Sequence, residues 1–310
     1  MSEPNPIVSV IMVIYNAEKY LAKAVESVLN QSLKDFEFII LDTGSTDTSL
    51  ESLKRYAQKD DRIRLIECGR VSRAYAFNEG IAHATGNFIA IVDPNDIAYR
   101  ERLRRQVEVL EEDQECVALG CQTLFIDADG LPLWAKQIPT RPAEIEDRLL
   151  KGQLSCIRHA NTLFRRGPLL QIHGYDKTHE GAEEFDIFIR LLRLGTLKNT
   201  HEILNFERYP SPTRQTEHTH ALLQQRLDAF RSEYALTSIP FPKETDPARH
   251  KLKHLMLCAR KAQRAGNAKT ARIYAKAAVF KYPFHPKSWF ILLAIAFSTL
   301  QRKPARQTSR

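Results

Sequence analysis

The chain has few cysteines. There are five in 310 residues, at positions 68, 116, 121, 156 and 258, an odd set with no CxxC pair. That excludes a disulfide framework and a four-cysteine zinc site, and it fits a reducing compartment. Glycine is scarce as well, with 12 in all. The first strand–helix turn, "IYNAEKY", has no GxGxxG and so nothing to cradle a dinucleotide pyrophosphate, which argues against a nicotinamide-dependent oxidoreductase. Long apolar runs are missing. "MSEPNPIVSV" has neither the basic nor the apolar segment of a signal peptide, and "WFILLAIAF", Trp289 to Phe297, is too short to span a bilayer. The expectation is a cytoplasmic protein, at most peripheral at the inner face of the cell membrane.

Negative charge is missing from one region. From Ala248 to Arg310 there are 15 Lys or Arg and no Asp or Glu, while the other 247 residues carry 30 basic and 37 acidic groups. The chain is an acidic body with a basic tail. The body gives no reason to expect nucleic-acid binding, and any work done by positive charge falls to the tail.

The first hundred residues alternate between two periodicities. "IVSVIMVI", Ile7–Ile14, is a continuous apolar, β-branched run, the pattern of a strand buried on both faces. After a turn at Tyr15-Asn16, Leu21, Ala24, Val25, Val28 and Leu29 fall on one helical face. Further strands are expected at "FEFIIL" (Phe36–Leu41), "IRLIE" (Ile63–Glu67) and "FIAIV" (Phe88–Val92). Between them, Thr48 and Glu51 have capping-box spacing. Ala74, Phe77, Ile81 and Ala84 have helical spacing, with Gly86 placed to stop that helix. This βαβαβαβ order implies an α/β fold, a mainly parallel sheet flanked by helices. Ligands of such sheets bind beyond the carboxyl ends of the strands. Polar residues stand at three of those ends: Tyr15-Asn16, Asp42 and Asp93–Asp96.

The middle is less regular. "CQTLFIDADGLPLW" reads as a hairpin turning at Asp127–Gly130, and "AEEFDIFIRLLRLG" as a helix over Ala182–Gly195 with Phe185, Phe188, Leu191 and Leu192 inward. A helix is expected near 218–236 and a linker over 238–247. Two amphipathic helical patterns follow, near 249–265 and 268–281, then a third apolar segment.

Five stretches occur in order: "SVIMVIYNAEKYLAKAVESVLNQS", "IILDTGSTDTS", "NEGIAHATGNFIAIVDPNDIAYRERLRRQVEVLEE", "IRHANTLFRR" and "GYDKTHEGAEEFDIFIRLLRLG". Together they resemble the family 2 glycosyltransferases, inverting enzymes of the GT-A fold, over roughly residues 7–195. The resemblance implies transfer of a sugar from a nucleotide-sugar donor, UDP-linked, to a glycan or lipid-linked acceptor hydroxyl, as in building cell-surface polysaccharide. It also implies a GT-A domain over 1–240, with a nucleotide-binding half (1–105) and an acceptor-binding half (106–240), followed by a basic helical extension (241–310).

Carried over by position, Tyr15, Asn16 and Glu18 match the family's first nucleotide-contacting loop. Asp42 matches the carboxylate that accepts from the uracil imide, a suitable pairing of acceptor with N–H. Otherwise Asp42 is a turn residue. Asp93, Asn95 and Asp96 fall on the family's "DADD", where the first and third positions hold ribose and a divalent metal. A hard cation, Mg²⁺ or Mn²⁺, neutralises the departing diphosphate. Asn95 brings an oxygen but no charge. Losing one unit charge about 4 Å away costs on the order of 4 kcal/mol at an effective dielectric near 20, so the resemblance implies a weakly held cation. The alternative is a plain cap for a helix starting near Arg100.

Glu184 falls on the second position of the family's "ED" pair, the general base that deprotonates the acceptor hydroxyl, with Glu183 beside it. Otherwise both are first-turn acids favoured by the helix dipole. His159 matches a family histidine on the acceptor side, or is a satisfied structural residue. Arg208 is retained downstream. The "QxxRW" element of processive members is absent, so single-sugar addition is expected. Val13, Thr43 and Asn95 depart from the pattern and leave a rival reading, a catalytically degenerate nucleotide-sugar-binding or assembly protein. The basic tail either packs as helices, one of them of tetratricopeptide character, or meets an anionic membrane surface.

Overall fold

The structure, a computed structural model, describes residues 5–151, 153–178, 182–209, 247–283 and 285–300. The helix expected near 218–236 and nearly all of the linker over 238–247 lie outside the described residues. The chain forms two compact units, Met1–Thr123 with Gln137–Phe241, and Leu124–Lys136 with Pro242–Arg310.

The first unit begins with the expected alternation: β1 (Val8–Ile14), α1 (Glu18–Leu29), β2 (Phe36–Asp42), α2 (Ser49–Ala57), β3 (Ile63–Glu67), α3 (Arg73–His83) and β4 (Phe88–Val92). β1 pairs in parallel with β2 and with β4, and β2 in parallel with β3. β1, β2 and β4 are largely apolar on both faces because each face is covered, while β3, at the sheet edge, leaves Arg64 and Glu67 exposed. Val8, Val10, Met12 and Ile14 of β1 pack with Leu21, Val25 and Val28 of α1. Ile11 packs on the opposite side with Ala74, Phe77 and Ile81 of α3. Each such fully buried side chain contributes about 1.5–3 kcal/mol. Register places Asp42 beside Ile14, and Val92 beside Met12. The loops after β2 and β4 therefore flank the loop after β1.

Past β4 the sheet becomes mixed. The elements are β5 (Ile97–Ala98), α4 (Arg102–Glu112), β6 (Cys116–Ile126), β7 (Pro132–Lys136), α5 (Pro142–Leu150), β8 (Leu163–Arg165), α6 (Arg166–Gln171), α7 (Glu183–Leu191) and β9 (Thr196–Arg208). The sheet order is β3-β2-β1-β4-β8-β6-β9-β5, with β7 paired to β6. β8 is antiparallel to both β4 and β6, and β5 to β9.

Three local expectations need correction. Gly86 does not stop α3, which ends at His83 with an extended Ala84 after it. Gly86 instead lies against β1, where an added Cβ would meet the Ser9 nitrogen at 2.6 Å. The Thr48/Glu51 capping box does not form: Thr48 makes no side-chain cap bond. Its hydroxyl donates to Glu18 Oε2 at 2.9 Å. The acids at 93–96 do not cap the next helix, because Ile97–Ala98 first pairs as β5 and α4 begins after Glu101.

The second unit holds the expected hairpin and three helices, Pro247–Arg264, Ala268–Lys281 and Pro286–Leu300. The turn closes as Asp127 Oδ1 accepts from the Asp129 and Leu131 amides at 3.0 and 2.7 Å. Ala259 and Ala262 of the first helix pack with Ala271, Ala275 and Ala278 of the second, and with Ile291 and Ile295 of the third. The hairpin belongs with these helices although it lies inside the 106–240 stretch of sequence. Trp134 stacks on Phe125 with ring centroids 4.8 Å apart, and Lys261 sits 4.1 Å over the Trp134 ring.

Candidate active site

The loops after β1 and β2 are knitted together by side chains. Asn16 has a left-handed backbone, φ 49°. Its N–H donates to Ser45 Oγ at 3.0 Å, and its Oδ1 accepts from the Thr46 amide at 2.8 Å. Glu18 Oε2 also accepts from the Thr48 amide at 3.1 Å. In return Ser49 Oγ and Asp47 Oδ2 accept from the amides of Ala17 and Glu18, at 2.9 and 3.1 Å. α1 has no cap of its own, so the second loop satisfies its first orphan donors. Asn16 and Glu18 thus hold the loop in shape. Tyr15, Asn16 and Glu18 are all exposed, and Arg70 Nη2 lies 3.4 Å from the Tyr15 hydroxyl.

Asp42 is buried at the end of β2. Its Oδ2 accepts from the Gly44 and Ser45 amides, both at 3.2 Å. Gly44 takes φ 85° to make this turn. The Ser45 amide also reaches Oδ1 at 3.3 Å. These long bonds from two amides do not fill the four or so lone-pair sites of a carboxylate, so Asp42 can turn its own loop and still accept from a ligand N–H. Thr43, where the family carries an acid, donates its hydroxyl to the Ile14 carbonyl at 2.9 Å. A carboxylate in that rotamer would face a carbonyl oxygen, and threonine suits the position it occupies.

At the end of β4, Asp93 Oδ1 accepts from both the amide and the Nδ2 of Asn95, at 2.8 and 2.9 Å. Asp96 is buried and turns toward β9, where its Oδ2 accepts from Asn205 Nδ2 at 3.0 Å and its Oδ1 from the Arg208 amide at 3.4 Å. Burial pushes the Asp96 carboxyl well up, and the nearby charges of Asp93 and Glu207 push it further. Glu207 is itself paired with Arg158. The guanidinium of Arg208 sits 4.1 Å over the Tyr20 ring.

Among the described residues no group of three or more His, Cys, Asp or Glu side chains could hold a metal ion. The chemistry of the cluster still fits a shared site. Asp93 offers one carboxylate, bonded by Asn95 at Oδ1, and a magnesium-type cation commonly binds one or two carboxylates plus substrate phosphates. A site closed by protein ligands alone is not what these residues build.

Glu184 opens α7. Its Oε1 lies 2.8 Å from Arg73 Nη1, at the first turn of α3, and 3.6 Å from His159 Nδ1. Burial pushes the Glu184 carboxyl up, but Arg73, followed by His159 and Arg158, more than offsets this and holds it below the ordinary glutamate value. Burial tends to lower Arg73, yet the charges of Glu184, Asp93 and Glu183 carry it above the ordinary arginine value. Arg73 therefore stands within the fields of the β4 cluster and of α7. Glu183 is buried beside it.

His159 is buried beneath Glu184 and does not face solvent. Its Nε2 is 2.5 Å from the Tyr175 hydroxyl, and its ring packs edge-on against Phe77 at 5.1 Å. Burial lowers its pKa to about 4, so the ring is neutral. Tyr175 is held from behind: Asn78 Oδ1 accepts from its amide at 2.7 Å and Asn78 Nδ2 donates to its carbonyl at 2.8 Å. His159, expected on the acceptor side, lies buried next to Glu184, its Nδ1 3.6 Å from that carboxylate. Arg73, Tyr175 and Asn78 were not legible from the motifs. The one signal was position, since Asn78 and Tyr175 lie inside two of the five matching stretches.

A Rossmann-like parallel sheet with carboxylates beyond its strand ends, extended by antiparallel strands, defines the GT-A class. The model of the family "Glycosyl transferase family 2" matches residues 9–172, and the chain belongs to that family. It is 35% identical over 194 residues to the putative glycosyltransferase EpsE of Bacillus subtilis, covering 61% of this chain and 68% of EpsE. It is 26% identical over 190 residues to the O-antigen biosynthesis glycosyltransferase WbnJ of Escherichia coli, covering 60% and 72%. Two uncharacterised glycosyltransferases, of Methanocaldococcus jannaschii and Haemophilus influenzae, are matched over 65% and 64% of their lengths. The fold is similar to that of the mannosyltransferase PcManGT from Pyrobaculum calidifontis, solved with GDP-Man and Mn²⁺. The TM-score is 0.55 at 19% identity, covering 97% of this chain and 89% of that one. It is likewise similar to S. aureus TarS 1–349 in complex with UDP-GlcNAc, with a TM-score of 0.55 at 16% identity, covering 95% and 80%.

Proposed function

We propose that the protein moves a single sugar from a UDP-linked donor to a hydroxyl of a glycan or lipid-linked acceptor, in the cytoplasm, with inversion at the anomeric carbon. The carrying observation is the carboxylate of Glu184, kept ionised by Arg73 at 2.8 Å. Residues 1–105 supply the nucleotide side, with Tyr15 against the base, Asp42 accepting from the imide and Asp93 at the ribose. Residues 106–240 supply the acceptor side. A divalent cation shared between Asp93, the Asn95 oxygen and the diphosphate, with Asp96 behind them, would lower the energy of the departing charge. Presenting its oxygen to a cation requires the Asn95 amide to turn from Asp93.

The chain's own residues do the rest. Glu184 takes the acceptor proton as the hydroxyl oxygen forms its bond to the anomeric carbon. The bond from that carbon to the diphosphate oxygen breaks, its electron pair leaving with the nucleotide. Attack from the face opposite the leaving group inverts the centre. His159, neutral and anchored by Tyr175, lies next to the carboxylate without competing for the proton. PcManGT was solved with Mn²⁺, which supports testing a cation here. The test is donor hydrolysis and transfer with a panel of nucleotide sugars, with and without Mn²⁺. Turnover should depend on Mn²⁺ and on Glu184. Nucleotide binding with turnover unchanged in Glu184→Gln would favour the degenerate binding protein.

A further inference from the structure

The helix Pro286–Leu300 has no charged residue after Lys287. Helices that are apolar all round are normally covered all round. This one is covered on one side, where Ser288, Ile291 and Ile295 are buried. Its other side carries Trp289, Phe290 and Leu293, which are 48%, 67% and 54% exposed. At 100° per residue these three fall on one stripe. The preceding helix has a similar outer face. Its small residues Ala271, Ala275 and Ala278 are buried, while Lys269, Arg272, Ile273, Lys276 and Phe280 are exposed, Phe280 to 88%.

Charge decides what fits such a surface. Residues 248–310 contain 15 cations and no anion, so the cations of these helices have no acid nearby in sequence to pair with. In a two-fold contact, a second copy would bring the same sign of charge to this face. Exposed aromatic and aliphatic side chains interleaved with Lys and Arg are the composition of a helix lying in the plane of an anionic interface. No helix among the described residues is long and apolar enough to cross a membrane.

We infer that the outer faces of the last two helices form a membrane-docking surface. Trp289, Phe290, Leu293 and Phe280 enter the headgroup region of an anionic bilayer, and Lys269, Arg272, Lys276, Lys281 and Lys287 meet its phosphates. This goes beyond the transfer reading and stands without it.

The test uses the full chain with sedimenting vesicles of phosphatidylcholine, with or without phosphatidylglycerol. Binding should require phosphatidylglycerol and should weaken steeply at about 1 M salt, where the Debye length is ~3 Å. Trp289→Ser/Phe290→Ser/Leu293→Ser should lower partitioning more than tenfold. Arg272→Gln/Lys276→Gln should lower it roughly thirtyfold, since each cation near such a surface contributes about 1 kcal/mol. Brominated acyl chains should quench wild-type tryptophan fluorescence but leave Trp289→Phe almost unquenched, a readout that holds even if the triple variant folds poorly. Equal binding to neutral vesicles, no binding to either, or a triple variant that merely splits an oligomer would overturn the proposal. Donor hydrolysis in the absence of vesicles should be unchanged in every variant, which separates failure here from failure of the transfer reading.

Discussion

The carboxylate of Glu184 and the guanidinium of Arg73 meet at 2.8 Å, across the first turns of α7 and α3. Both side chains are close to half exposed, and exposed ion pairs add little stability. The consequence of the pair is chemical, in keeping the base ionised. Glu184→Gln should therefore lower turnover by about 10²–10⁴-fold while the melting temperature barely moves. Arg73→Met should leave some turnover and change its pH profile. A base works above its pKa. Arg73 holds that pKa below the ordinary glutamate value against the upward pull of burial, so its loss should move the acid limb of kcat/KM to higher pH. An unmoved limb would separate Arg73 from the base.

His159 makes stability depend on pH. Its folded-state value, lowered by burial to about 4, lies below the unfolded value. Between the two, the unfolded chain binds the extra proton and the folded one does not. Stability should be full above about pH 6.5 and fall as the pH drops toward 4, by about 3 kcal/mol for this group. Urea midpoints at pH 7 and 4.5 read this directly. His159→Phe should flatten the dependence, and a wild-type midpoint that stays level would contradict a neutral buried ring.

Gly86 is a packing constraint. A Cβ there would come within 2.6 Å of the Ser9 nitrogen and 2.8 Å of the Val8 carbonyl carbon. Both belong to the central strand and neither is a flexible tip. Gly86 also donates its amide to Ser9 Oγ at 2.9 Å. Gly86→Ala should cost about 1–3 kcal/mol, the range for overpacking a tight core, visible in the denaturation midpoint with donor affinity per folded molecule unchanged.

The parallel half of the fold was legible because β1, β2 and β4 are buried on both faces and the helices on one, so strand runs and helical stripes alternate in the sequence. The antiparallel half was not. β8 is three residues and β5 two, too short for any periodicity. β9, "TLKNTHEILNFER", places charged residues among its buried ones. In the site, Asp42, Asp93 and Glu184 stand where strands or helices end, and a motif could point at them. Arg73 carries no motif. Its importance appears only when α3 and α7 bring it against Glu184, and the support of His159 by Tyr175 and Asn78 is equally a product of tertiary packing.

Asn95 offers the most direct handle on the metal. Its amide now donates to Asp93 at 2.9 Å, standing where a cation would otherwise hold the carboxylate. Asn95→Asp would replace that donor with a second negative charge. Two carboxylates about 4 Å apart repel by about 4 kcal/mol at an effective dielectric near 20, so the metal-free variant should melt lower than wild type. A divalent cation between them converts the same term into affinity. Mn²⁺ binding in the presence of UDP should tighten by roughly ten- to a thousandfold, and saturating Mn²⁺ should restore the lost melting temperature. Calorimetric titration and thermal melts measure the two effects independently. If the variant melts lower and Mn²⁺ neither binds more tightly nor restores it, Asn95 lies outside any metal shell, and the cation, if used at all, rests on Asp93 and the diphosphate alone.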